Sequence, residues 1–222
     1  MDAIFLSVLT PLYIKWLASG LRKWMLAFRF YFIPRLLQRK VAVEAYLAFD
    51  DPFSYLLVQT LPTLARKYNV QINIVIVNDR QPGMNPEPKL WRQWALMDAN
   101  RIAEQYELAK PIEFPDAKTI VTAMQMWQLQ RPKLDQAVDF FHQVWHQGFE
   151  EEFQHSTPVI NHLIKNQQRQ ASLGHYSSGT LFFAGQWYQG IERLDHLEHA
   201  IVDKGLCKET HCSTHFNKRD LQ

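Results

Sequence analysis

An apolar run over residues 41–49 passes through Asp50-Asp51-Pro52 straight into a helical pattern over 52–68, and a second apolar run over 70–77 follows at once. Joints this short leave little freedom. They predict two parallel strands bridged by a crossover helix, right-handed by default. Asp51 suits the N-cap of that helix, because its side-chain oxygen can accept from the first free backbone N–H groups, and Pro52 suits the first turn, where no N–H is needed. Capping alone accounts for an Asp-Pro in most proteins. The same place, a helix N-terminus at the end of a buried strand, is also where α/β folds set their chemistry, and it favours anions. In this chain it holds carboxylates.

Downstream, residues 78–89 carry Pro82, Gly83, Pro86 and Pro88 and read as a loop. Helical patterns follow over 90–108, 119–130, 133–147 and 157–171, then a hairpin of 180–184 and 186–189 about Gly185, then a last helix over 192–204. The expected class is therefore α/β with an all-helical insertion. Residues 41–88 and 173–204 form the core, 89–172 the insertion and 205–222 a polar tail. The 222 residues, 47% of them hydrophobic, are enough to bury one full core.

Residues 1–40 form a separate arm. They are rich in Leu, Ile, Phe, Trp and Tyr and carry Lys15, Arg22, Lys23, Arg29, Arg35, Arg39 and Lys40 against the one acid Asp2. The uncharged run 3–14 is too short to span a bilayer, and no cations precede it as in a secretory signal. The arm is expected to be a basic amphipathic helix. It either packs on the domain or on a second copy, giving a homodimer, or lies on an anionic membrane surface. The formal net charge of +2 argues against a nucleic-acid partner held by an overall basic field.

Three short stretches, in order along the chain, resemble one family. Phe49-Asp50-Asp51-Pro52-Phe53-Ser54-Tyr55-Leu56 falls where DsbA-superfamily thioredoxin-like proteins carry Cys-Pro-x-Cys after the first strand. Its wording is closer to the branch of 2-hydroxychromene-2-carboxylate isomerases and kappa-class glutathione transferases. Asp98-Ala99-Asn100-Arg101-Ile102-Ala103 resembles that branch's Asp-x-x-Arg-x-Ala, and 185–198 resembles its closing Gly-x-x-x-x-Gly-x-Asp-Arg-Leu turn and helix. The resemblance implies a thioredoxin-like fold with a helical insertion.

By that resemblance Asp51 and Ser54 occupy the catalytic motif, and Ser178, Gly179, Ile191 and Glu192 the positions that hold glutathione, with Glu192 facing the γ-glutamyl ammonium. Two departures stand against the family's chemistry. Asp51 replaces the Cys or Ser presented to a thiol; a carboxylate neither exchanges disulfides nor donates to a thiolate, which excludes dithiol redox chemistry there. Ser177-Ser178-Gly179-Thr180 replaces the family's cis-Pro-Thr, so a trans bond and a reshaped loop are expected. The resemblance then leaves a non-catalytic or divergent module, or a glutathione-dependent isomerase or transferase. A tandem second thioredoxin-like domain joined through the arm, and a cytoplasmic location at the inner face of the membrane, belong to the same reading.

Cys207, His211, Cys212 and His215 lie in the tail without a common zinc spacing, so free or mutually bridged thiols are expected and no metal. His142 and His146 sit one helical turn apart, but Phe141, Val144 and Trp145 around them indicate a packed structural helix.

Overall fold

The computed structural model describes residues 19–78, 87–149 and 157–208. In chain order these form α1 (Gly20–Ala27), a π turn (Phe28–Phe32), α2 (Ile33–Leu36), β1 (Val41–Leu47), α3 (Pro52–Lys67) and β2 (Val70–Ile76). The insertion contributes α4 (Pro88–Gln105), α5 (Ala117–Gln130), α6 (Leu134–His146) and α7 (Thr157–Ser172). β3 (Thr180–Phe183), β4 (Gln186–Gln189), a 3-10 turn (Ile191–Arg193) and α8 (Leu194–Asp203) close the fold.

The strands lie in the order β2-β1-β3-β4, with β1 parallel to β2 and antiparallel to β3, and β4 antiparallel to β3. β1 is thus central and buried on both faces, which is why it reads as a nearly unbroken apolar run. On one face Val41, Val43, Ala45 and Leu47 join the main core with residues of α3, α6 and α8. On the other, Tyr46 and Phe182 pack with Leu173, Leu26, Phe30 and Trp187. Glu44, on that second face, is accommodated by a partner 125 residues away: Arg169 of α7 pairs with its carboxylate, and the Tyr46 hydroxyl donates to it at 2.8 Å. A buried carboxylate is tolerated only with such partners.

The predicted elements are present, with ends set by local chemistry. The strand expected over 41–49 stops at Leu47 because the next N–H, that of Ala48, donates to the Ser54 hydroxyl at 3.1 Å instead of to a strand. β3 stops at Phe183 because Ala184 and Gly185 take φ of 50° and 90° to make the turn. The last helix begins as a 3-10 turn one residue earlier than expected. The tail does not begin as a detached segment at 205. Leu206 is buried, Asn69 N–H donates to its carbonyl at 2.7 Å, and Cys207 bridges to Tyr68, so residues 205–208 finish the end of α3.

The described part of the arm is docked on the second sheet face rather than standing apart. Pro34, which has no N–H and whose ring would collide with the carbonyl four residues back, explains the π turn before it; there Ile33 N–H reaches back five residues to Phe28 O. Arg22, itself buried, donates to Ser172 O at 3.2 Å at the C-terminal end of α7. The Tyr31 hydroxyl and the Arg35 guanidinium both donate to Lys204 O, just past α8, at 3.0 and 3.3 Å. Two helix C-termini, where carbonyls lack partners and the dipole favours cations, are thus satisfied by the arm. A Cβ on Gly185 would lie 2.9 Å from Leu26 Cβ and 3.0 Å from Ala27 N, so only glycine lets arm and hairpin approach this closely. Residues 1–18 of the arm lie outside the described residues.

Candidate functional site

The site foreseen at Asp51 forms as an assembly of the α3 N-terminus with the loop before β3. Asp51 caps α3: its Oδ1 accepts from Phe53 N–H at 3.2 Å and its Oδ2 from Ser54 N–H at 3.1 Å. Two hydroxyls add to these. Ser54 Oγ donates to Oδ2 at 2.6 Å, and Ser178 Oγ donates to the same oxygen at 2.8 Å from 127 residues along the chain. Ser54 Oγ meanwhile accepts from Ala48 N–H, so one hydroxyl ties the strand end to the cap.

The carboxylate is closed in as well as satisfied. Asp51 is 2% exposed, and Ser54 and Ser178 are buried with it. Burial pushes the Asp51 carboxyl above its usual range, and the four donors pull it back. Asp50 beside it is also pushed up, by burial first and by the Asp51 charge. The neighbouring loop has no cis peptide bond, and none occurs elsewhere among the described residues. Gly179 instead takes φ +65°, where an added Cβ would meet Asp51 Oδ2 at 3.0 Å. Its carbonyl accepts from Gly190 N–H at 2.9 Å, which brings the closing turn alongside.

Of the six residues singled out in sequence, Asp51, Ser54, Ser178 and Gly179 are brought together in direct contact. Ile191 is buried in the main core, and Glu192 is exposed to solvent. Within the Asp98–Ala103 stretch on α4, Asp98 and Arg101 form a surface ion pair at 2.7 Å, while Ala99 and Ala103 are fully buried. Sequence reasoning did not find Ser178 as the tether of Asp51, because nothing local marks a serine in a Ser-Ser-Gly loop for a partner so distant.

Two further features adjoin this corner. A cavity of about 470 Å³ lies between α3 and α4, lined by Phe53, Trp91, Trp94, Ala95, Met97, Asp98 and Arg101. One turn along α3, the buried Tyr55 hydroxyl lies 2.9 Å from His142 Nδ1 and 3.0 Å from His146 Nε2, and the two imidazoles stack at 4.2 Å. The pair thus packs against α3, as the apolar residues around it led one to expect. Of the four tail residues weighed as ligands, Cys207 is described, and it is disulfide-bonded; His211, Cys212 and His215 lie outside the described residues. No group of three metal-ligating side chains occurs among the described residues.

With sheet order, crossover helix, insertion and closing turn established, comparison with solved structures is decisive for the fold. A 2-hydroxychromene-2-carboxylate isomerase structure superposes with a TM-score of 0.56 at 21% identity, covering 73% of this chain and 95% of that one. The chain has a thioredoxin-like fold with a helical insertion. A probable DsbA oxidoreductase from Streptomyces coelicolor aligns with a TM-score of 0.50 at 11% identity, over 74% of this chain and 89% of the other. No protein-family model matches the chain, and no curated protein matches it.

Proposed function

We propose that this chain is a non-catalytic thioredoxin-fold module. The observation that carries the reading is the closure of the corner: where the resemblance sets a Cys or a thiol-activating Ser, a buried carboxylate already accepts four hydrogen bonds. A base with no exposed lone pair has nothing to offer a substrate proton. Glutathione does not fit these residues. Its thiolate would face a carboxylate, and the Ser178 hydroxyl is committed to Asp51. Dithiol chemistry is equally unsupported. The sequence has only Cys207 and Cys212, and Cys207 sits beside Tyr68 at the opposite end of α3, where the helix dipole disfavours a thiolate.

The second reading, a glutathione-dependent isomerase or transferase, draws on the cavity beginning at Phe53, which is large enough for an aromatic ligand. Titration calorimetry with glutathione on the wild type and on Asp51→Ser separates the two. The module reading expects no heat from the wild type at millimolar glutathione. Micromolar binding by the wild type would replace it with the enzyme reading, whereas binding by Asp51→Ser alone would mark a pocket closed by one carboxylate.

A further inference from the structure

The described part of the arm has two faces, and only one is used by the fold. Arg22, Leu26, Phe30 and Tyr31 hold it to the sheet and to two helix ends. Leu21, Trp24, Met25, Phe28, Phe32 and Leu36, spaced as one side of a helix, point away from the body, with Trp24 61% and Leu36 82% exposed. The rings of this stripe run in series: Trp24 stacks on Phe28 at 5.6 Å, and Phe28 lies 6.2 Å from Phe32. Soluble surfaces rarely leave so many large apolar side chains contiguous.

The charge around the stripe selects its occupant. Lys23, Arg29, Arg39 and Lys40 are exposed, Arg35 donates to Lys204 O, and no Asp or Glu occurs between Asp2 and Glu44. A second copy of this chain packed through the same face would bring these cations against their own counterparts with no acid in the arm to pair them. A neutral apolar partner would leave them idle. An anionic bilayer meets both requirements at once: acyl chains take Leu, Phe and Trp, and headgroups take the cations. We propose that the outward face of the arm is a docking surface for an anionic lipid membrane. The helix lies in the interface with the thioredoxin-fold body held above it. Trp24 sits at headgroup depth, where indole rings are favoured.

The test is co-sedimentation of the full chain with vesicles of phosphatidylcholine alone and of phosphatidylcholine mixed with phosphatidylglycerol. The chain should sediment with the mixed vesicles and not with pure phosphatidylcholine, and added salt should release it. The variant Trp24→Ser/Phe28→Ser should lose this binding. Lys23→Gln/Arg29→Gln keeps the apolar stripe and should weaken binding on the order of tenfold or more. Absence of binding to mixed vesicles overturns the proposal, as does binding that both variants retain. A dimer in light scattering that the serine variant dissociates, without vesicle binding, would assign the face to self-association. Loss of fold in the serine variant with no vesicle binding by the wild type would show that the stripe is covered within the chain itself.

Discussion

The corner around Asp51 and the outer side of the arm handle their side chains in opposite ways. At the corner a carboxylate, two hydroxyls and two backbone N–H groups are matched to one another and shut away at 2% exposure. On the arm, Leu21, Trp24, Phe28 and Leu36 stand in solvent among exposed cations, although the same helix has a well-packed underside. A corner with every polar atom satisfied stabilises the fold and presents no group to a ligand. A surface left apolar costs solubility, which makes sense only where something covers it. On the reading proposed above, the place where the resemblance expects chemistry serves the fold, and the proposed recognition surface lies on the arm.

The strongest way to break that contrast is to remove the carboxylate. Asp51→Ala deletes the α3 cap and leaves the hydroxyls of Ser54 and Ser178 with their acceptor gone. A lost cap costs about 1 kcal/mol and a buried donor deprived of its acceptor about 1–3 kcal/mol, so a loss of at least about 3 kcal/mol is expected in urea denaturation. Trp24→Ser/Phe28→Ser, by comparison, should stay within about 0.5 kcal/mol of the wild type, as surface changes do. If Asp51→Ala is no more costly than that arm variant, the corner is not the structural tie described.

The next largest effect asks whether the arm is part of the fold. Gly185 and Gly205 have φ of +90° and +66°, so alanine is strained at both. Only at Gly185 does the new Cβ strike the arm backbone, at 3.0 Å from Ala27 N; at Gly205 nothing lies within 4 Å. Gly205→Ala should cost about 1 kcal/mol, the positive-φ penalty alone, and Gly185→Ala about 1 kcal/mol or more beyond it. Equal losses would mean that the arm yields freely and is only loosely attached.

How much of this was legible follows the range of each interaction. The β1-α3-β2 unit and the Asp51 cap rest on neighbours within a few residues, and the pattern around Asp51-Pro52 states them directly. The Ser178 tether and the Glu44–Arg169 pair span 127 and 125 residues, and no local rule pairs such positions. The pattern predicts one amphipathic helix for the arm, but apolar residues lie on both sides of its described part. Composition could not say that Leu26 and Phe30 turn inward while Trp24 and Phe28 turn outward, because that depends on which sheet face stood uncovered. The resemblance found four residues that meet, Asp51, Ser54, Ser178 and Gly179, while Glu192 is exposed to solvent.

The smallest effect, and the one that assigns pH sensitivity to the packed body rather than to the arm, concerns Tyr55. One hydroxyl can donate to only one of the two imidazoles it touches, so the ring that accepts it presents an unprotonated nitrogen and the other can bond only by donating its N–H to the oxygen. Burial, and then the charge of His142, hold His146 below its ordinary value of 6.5, and burial does the same for His175. Below pH 6.5 the unfolded chain therefore binds protons that the folded chain refuses, so stability declines as the pH falls through that value and is fully present above it. The raised carboxyls of Asp50 and Asp51 act with the opposite sign: their contribution is present at low pH and lost as pH rises through their folded values. Urea midpoints measured from pH 7.5 down to 5 should fall in the wild type and fall less steeply in His146→Gln. Vesicle binding rests on the arm and not on this cluster, so it should not follow the same curve. A His146→Gln protein with an unchanged slope would take the titration away from this cluster and leave His175, under Trp187, as the group that carries it.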